Sequence, residues 1–177
     1  MANLIQGKDL LLFFRREKDH ATEDGAKLRF QTEHTITMEK ESEATITKDG
    51  IINTISDGEN TIEIVSLAYR DDKATLETWE ELRDWFENNE KVEVWEVDIT
   101  SAVDGEENKY RTTYYQGYFS SFELSATAEE AVELSYTYVI DGNGVRGNDT
   151  LTKEQQSAIS SMLYEYRTVQ KTQDVEI

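Results

Sequence analysis

The sequence predicts a mainly β protein with one internal helix flanking the strands. Three observations carry this. Residues 110–140, YRTTYYQGYFSSFELSATAEEAVELSYTYVI, hold two stretches of period-two alternation around the polar run ATAEE at 126–130. Two Asp-Gly pairs, Asp49-Gly50 and Asp57-Gly58, punctuate short apolar runs upstream. One internal stretch, 75–88, spaces Leu76, Trp79, Leu82 and Phe86 as a helical stripe. A strand sends alternate side chains to opposite faces, whereas a helix repeats every three or four residues, so the periods separate the two.

The elements follow in chain order. Residues 10–16 form an apolar run that turns abruptly charged at Arg15 and Arg16, which predicts a strand. The polar run EKDHATEDG at 17–25 predicts a loop. From Lys27 the alternation predicts one long strand past Lys40, with Leu28, Phe30, Ile36 and Met38 on one face and Glu33, Glu39 and Glu41 on the wet one. Such length suits a hairpin arm projecting from the body. Residues 44–48 and 51–56 read as strands around a type I′ turn at Asp49 and Gly50, where both central residues need positive φ. With residues 60–69 they make a three-stranded meander. In that third strand the apolar parity changes between Ile64 and Val65, which predicts a bulge or face switch.

The helix over 75–88 has Thr75 or Thr78 as cap, a Thr78–Glu81 capping box and Asn88-Asn89 as its stop. Trp85 lies off its stripe, which leaves a core-edge position and a subunit contact equally open. Residues 91–99 predict a strand whose parity changes between Val94 and Trp95, and residues 101–108 an acidic loop. In the two strands of 110–140, Tyr110, Tyr114, Tyr118, Phe122 and Leu124 share one parity, as do Val132, Leu134, Tyr136, Tyr138 and Ile140. Residues 141–148 are a Gly-rich loop, and Ile159, Met162, Leu163 and Tyr166 predict an amphipathic helix over 152–166.

Composition bounds the function. The 177 residues suffice for one domain with a real core. There is no Cys and no Pro, hence no disulfide framework, thiolate zinc site or polyproline linker. No apolar run approaches the roughly 18 residues needed to span a bilayer. Without a basic leader the chain is expected to work without export, and no membrane partner is expected. With 37 acidic and 18 basic residues the net charge is −19, which argues against wrapping nucleic acid.

Catalytic chemistry finds no foothold, and no enzyme, cofactor or metal is expected. His20 and His34 lie in no metal-ligand spacing. Asp141 and Asn143 begin like a calcium loop, but Val145 and Arg146 stand where an oxygen ligand and the obligatory Gly belong. No GK[ST] follows the glycines, so there is no phosphate loop.

An ordered series of motifs resembles one family. It comprises LIQGKDLLLFFR at 4–15, KLRFQTEH at 27–34, TKDG at 47–50, VEVWEVD at 92–98, YQGYFSSFE at 115–123, AEEAVELS at 128–135 and IDGNGVRG at 140–147. The chain is similar to the major tail protein, or tail tube protein, of long non-contractile-tailed bacteriophages, especially those of Gram-positive hosts. The resemblance implies a β-sandwich or barrel-like tail tube domain over 1–150 with the helix 75–88 outside, and a partly helical extension over 151–177. It implies hexameric rings stacked into a tube through which genomic DNA passes without specific binding. Implied partners are the tape measure, tail terminator and distal tail proteins. The implied place is the virion tail, after assembly in the host cytoplasm. Mapped onto this sequence, the ring-stacking arm would include Glu39, Glu41, Lys48, Asp49, Gly50 and Asp57. Glu33, Glu39 and Glu41 would face the lumen, and Trp85 a neighbouring subunit. The competing reading is an acidic β-sandwich binding module of a phage or bacterial surface apparatus. Tyr110, Tyr114, Tyr118, Trp85 and Trp95 would then form a stacking platform.

Overall fold

The computed structural model of the chain describes residues 2–70 and 78–160. The strands are β1 (Leu10–Arg16), β2 (Ala26–Lys27), β3 (Gln31–Thr37), β4 (Lys40–Thr47), β5 (Gly50–Asp57), β6 (Asn60–Leu67), β7 (Val92–Ala102), β8 (Lys109–Ser125), β9 (Glu133–Ile140) and β10 (Val145–Thr150). Two helices are described, α1 (Thr78–Glu87) and α2 (Lys153–Ser160). One antiparallel sheet runs β2-β1-β7-β8-β9-β6-β3, with β10 on β8, and β4 and β5 form a ribbon of their own.

β8 organises the sheet. Its first half pairs with β7 on one edge and β10 on the other, and its second half, from Gly117, pairs with β9. Gly117 sits where these registers change. A Cβ there would lie 1.9 Å from the Val139 carbonyl oxygen, so only glycine fits.

Two apolar clusters lie on opposite faces of the sheet. The larger holds Leu12, Phe14, Ile62, Ile64, Leu82, Val92, Val94, Tyr115, Phe119, Leu134, Tyr136 and Tyr138 beneath α1. The smaller holds Phe13, Val97 and Leu151, with Trp95, Tyr110 and Ile159 beside them. β1 and β7 are therefore covered on both faces, which is why their sequences are apolar throughout or change parity. α2 supplies Ile159 to the smaller cluster; Met162, Leu163 and Tyr166 lie outside the described residues. The buried hydroxyls find partners: Tyr138 donates to the Val92 carbonyl at 2.7 Å and Tyr136 to the Trp79 carbonyl at 3.2 Å. Burial raises the pKa of both phenols.

Several expectations are corrected. The strand from Lys27 breaks at Phe30, whose φ of 54° is left-handed, and Phe30 and Met38 are exposed. There is no meander: β5 turns back on β4 alone, while β6 enters the large sheet between β3 and β9. The parity of β6 does not switch. Ile62, Ile64 and Ser66 point inward and Val65 outward, and the irregularity lies in β3 between Gln31 and Glu33. In β8 the core takes Tyr115 and Phe119, not Tyr114 and Tyr118. A bulge between Phe119 and Ser121 then turns Phe122 inward. The predicted loop 141–148 is a turn followed by β10.

The helix 75–88 begins at Thr78 among the described residues; residues 75–77, with the cap candidate Thr75, and the side chain of the other candidate, Thr78, lie outside them. Its stop is as predicted. Asn89 has φ 53°, its N–H meets the Phe86 carbonyl at 3.3 Å, and the Glu90 N–H meets the Trp85 carbonyl at 2.9 Å. That is a Schellman cap with Asn at its left-handed position.

Candidate assembly surfaces

The arm is the clearest exposed element. β4 and β5 pair over their whole length, from Lys40 opposite Asp57 to Thr47 opposite Gly50. The tip is Lys48-Asp49. Gly50 alone of the three carries positive φ, at 134°, so the turn is not the expected type I′ pair at Asp49 and Gly50. Thr47 closes it, donating from Oγ1 to the Gly50 carbonyl at 2.7 Å. Residues directly opposite in an antiparallel pair share a face. One face of the arm therefore carries Ile46, Ile51, Ala44 and Ile55, and the other Glu41, Glu43, Thr45 and Thr54 around Ile52.

The arm's neck is held by a buried residue that pattern reading missed. Asn60 is 4% exposed. It accepts from the Glu39 N–H at 3.0 Å and donates to the Gly142 carbonyl at 2.7 Å and to Asn143 Oδ1 at 3.0 Å. Gly58 donates to the Glu39 carbonyl at 3.0 Å, and Lys40 meets Asp57 at the base. Asn60 thus ties the arm to the turn after β9.

A second surface is the outer face of β3, β6, β9 and β8. By register it carries Glu33, Thr35 and Thr37; Thr61, Glu63 and Val65; Glu133, Ser135, Thr137 and Val139; and Tyr118, Ser121 and Glu123. No described element packs over this face, and no Lys or Arg stands among these residues. Of the expected lumen residues, Glu33 lies here beside Glu63, Glu123 and Glu133. Glu39 is instead at the neck and Glu41 on the arm. Glu63 is legible as the polar member of a strand whose outward parity lacks any basic residue; Glu123 is not, because its parity in β8 also holds Lys109 and Arg111 until the bulge after Phe119.

Trp85 is 8% exposed and belongs to the large core, which removes it as an exposed anchor for a subunit contact or a ligand platform. Two polar clusters stiffen the body. On the smaller-cluster face, Glu93 accepts from Arg15 Nε at 2.8 Å and from the Tyr114 hydroxyl at 2.5 Å, and Arg15 stacks over Trp95 at 4.9 Å. Burial and the hydrogen bond to Glu93 raise the Tyr114 pKa. On the inner face His34 Nε2 meets Glu96 at 2.7 Å and ties β3 across to β7. Among the described residues no group of His, Cys, Asp and Glu could hold a metal ion, and no helix is long and apolar enough to cross a membrane.

Comparison with known proteins places these surfaces in context. The profile of the phage tail tube protein family matches residues 4–146. Over 173 residues the chain is 28% identical to a provisionally named tail protein of Staphylococcus phage phiMR25, covering 97% of this chain and 86% of that one. The solved SPP1 tail tube has a subunit that superposes with a TM-score of 0.75 at 19% identity, covering 97% and 96%. A chain of the native gene transfer agent particle gives 0.56 at 13% identity, covering 80% and 98%.

Proposed function

We propose, on the premise that this chain belongs to the phage tail tube protein family and is a structural component of the virion tail, that it self-assembles into hexameric rings stacked into the DNA conduit. The observation that carries this is the uncovered outer face of β3, β6, β9 and β8. This four-stranded face, mainly Ser, Thr and Glu with Tyr118, Val65, Leu67 and Val139 among them, packs against no described element of the subunit. It is bounded by two strand edges: β3 at the end of the sheet, and β8 beyond Gly117, where β7 no longer pairs with it. Open edges are a liability in a monomer, and closing the sheet removes them. β3 runs antiparallel to β8, so the edge of one subunit can meet that of the next without breaking the antiparallel pattern.

The same face suits a passing polyanion. Glu33, Glu63, Glu123 and Glu133, unaccompanied by cations, disfavour phosphate adhesion, so DNA slides rather than binds. The arm then extends along the tube axis as the ring-stacking element. Tape measure, tail terminator and distal tail proteins are its partners at the tube's interior and ends, with assembly in the host cytoplasm.

Cryo-electron microscopy of the concentrated full-length chain tests the reading, with sixfold rings expected and this face inward. A monomer at every concentration, also with tail initiator components, overturns it. Replacing residues 41–57 by a short linker should leave a folded subunit that does not grow tubes. Glu63→Lys with Glu123→Lys should assemble and slow DNA ejection, and unchanged ejection would take that face out of the lumen.

A further inference from the structure

The arm and an apolar groove lie at opposite ends of β6 and its partner β9. The arm leaves β6 at Asn60, level with Ile140 and Gly117, and continues away from the second half of β8. The groove, of about 420 Å³, lies beyond the other end of β6 and β9, lined by Ala68, Tyr69, Trp79, Leu124, Val132 and Arg70. Leu124 is 43% exposed there. On the arm, Ile46, Ile51 and Ile55 are 83%, 68% and 64% exposed, all on one face. Side chains of that size on a two-stranded ribbon without a core call for a partner.

We propose that the isoleucine face of the arm docks into this groove on a second copy of the chain, in the next ring. The proposal rests on the reading of the arm as the stacking element and adds the surface that receives it. Two observations choose a second copy as occupant. A protrusion at one end and a receptor at the other make a head-to-tail contact, which propagates as an open stack rather than closing as a dimer. Charge also complements over the arm as a whole: residues 39–59 hold six acidic and two basic side chains, Glu41 and Glu43 on the face behind the isoleucines and Asp49 at the tip, and Lys40 is already paired with Asp57. Among the described residues lining the groove Arg70 is the charged one, and Arg29 sits beside it over Phe30 and Tyr69, at 5.1 and 5.9 Å from their rings. Glu129 and Glu130 in the adjoining turn work against this attraction. Apolar contact therefore carries the affinity, and the two arginines orient the arm.

Because the chain has no Cys, introduced pairs report cleanly. A full-length Ile51→Cys chain mixed with a Leu124→Cys chain should form disulfide dimers in pelleted polymers. The yield should exceed by about tenfold that of Ile51→Cys with Val145→Cys, an exposed control on β10. A photo-crosslinker at position 51 should map to peptides holding residues 68–70, 124 and 131–132 of another copy. Crosslinks elsewhere on a neighbour, to residues 161–177 or to a different tail protein overturn the receptor and leave the stacking role standing. An Ile51→Ser, Ile55→Ser chain that polymerises at an unchanged concentration overturns the stacking role and the receptor with it. Leu124→Glu, whose fold is checked by its melting curve, is a second measure. It should raise the polymerisation concentration about tenfold, and an unchanged value counts against the groove.

Discussion

In the arm, β4 and β5 pair residue for residue, and every position but the half-buried Thr47 is exposed. In the body, β8 and β9 make the same antiparallel pairing and bury Phe119, Leu134, Tyr136 and Tyr138 between them and α1. Backbone hydrogen bonding is equivalent in the two ribbons. What differs is the apolar area removed from water, which is the dominant favourable term in folding. An isolated two-stranded hairpin is marginal. The arm persists because its tip and its neck are tied, and its isoleucines are left for another chain. Burial thus separates the part that folds the subunit from the part that joins subunits.

The largest effect should come from the body. Phe119, in ring contact with Phe14, Tyr136 and Tyr138, should cost about 3–5 kcal/mol on Phe119→Ala. Thermal unfolding would then fall by roughly 10 °C. Ile51→Ser on the arm should leave the melting temperature of the unassembled subunit within about 1 °C while polymer growth is lost. Equal losses of stability for the two would erase the distinction.

Two glycines test the same contrast at the backbone. Gly117→Ala forces a methyl against the Val139 carbonyl and should cost about 2–3 kcal/mol in urea unfolding. Gly50→Ala meets nothing within 4 Å and suffers only from its φ of 134°. It should cost about 1 kcal/mol, confined to faster amide exchange in the arm tip. Between body and arm stands Asn60. Asn60→Ala removes three hydrogen bonds at the neck and should cost about 1–3 kcal/mol. It should also speed exchange through both arm strands, a coupling that a purely local role would not show.

How far the sequence disclosed this depends on whether a segment has one buried face. β9 does: Leu134, Tyr136, Tyr138 and Ile140 alternate with Glu133, Ser135, Thr137 and the single apolar exception Val139, and these four are the residues it buries. β8 carries aromatics on both faces, Tyr114 beside Trp95 and Tyr115 in the core, so alternation could not choose between them. Its bulge near Ser120 leaves no compositional mark, and nothing in KLRFQTEH announces a left-handed Phe30. The acidic face was half legible. Glu33 lies on it, whereas Glu39 and Glu41 share its parity in the sequence but are carried off the face where β3 ends at Thr37. Asn60 was invisible because its role depends on a turn 82 residues away.

The smallest effect concerns α1, which covers the core and so belongs to the body. Glu81 is half-buried there; burial raises its carboxyl pKa first, the charges of Glu23 and Asp84 add to the rise, and Arg16 opposes it. A carboxyl whose folded pKa is raised holds its proton more tightly in the folded state. Its favourable contribution is complete below the unfolded pKa and is lost as pH rises through the folded value. Glu81→Gln keeps the protonated form's shape and cannot ionise. Variant and native protein should therefore melt together in acid, and the variant should gain above the titration of Glu81. Solvent screens a half-buried group and the helix N-terminus favours a negative charge, so the gain should be about 1 °C or less. Melting curves from pH 3 to 8 read it, and a variant that melts lower at neutral pH would show that the helix terminus outweighs burial at this position.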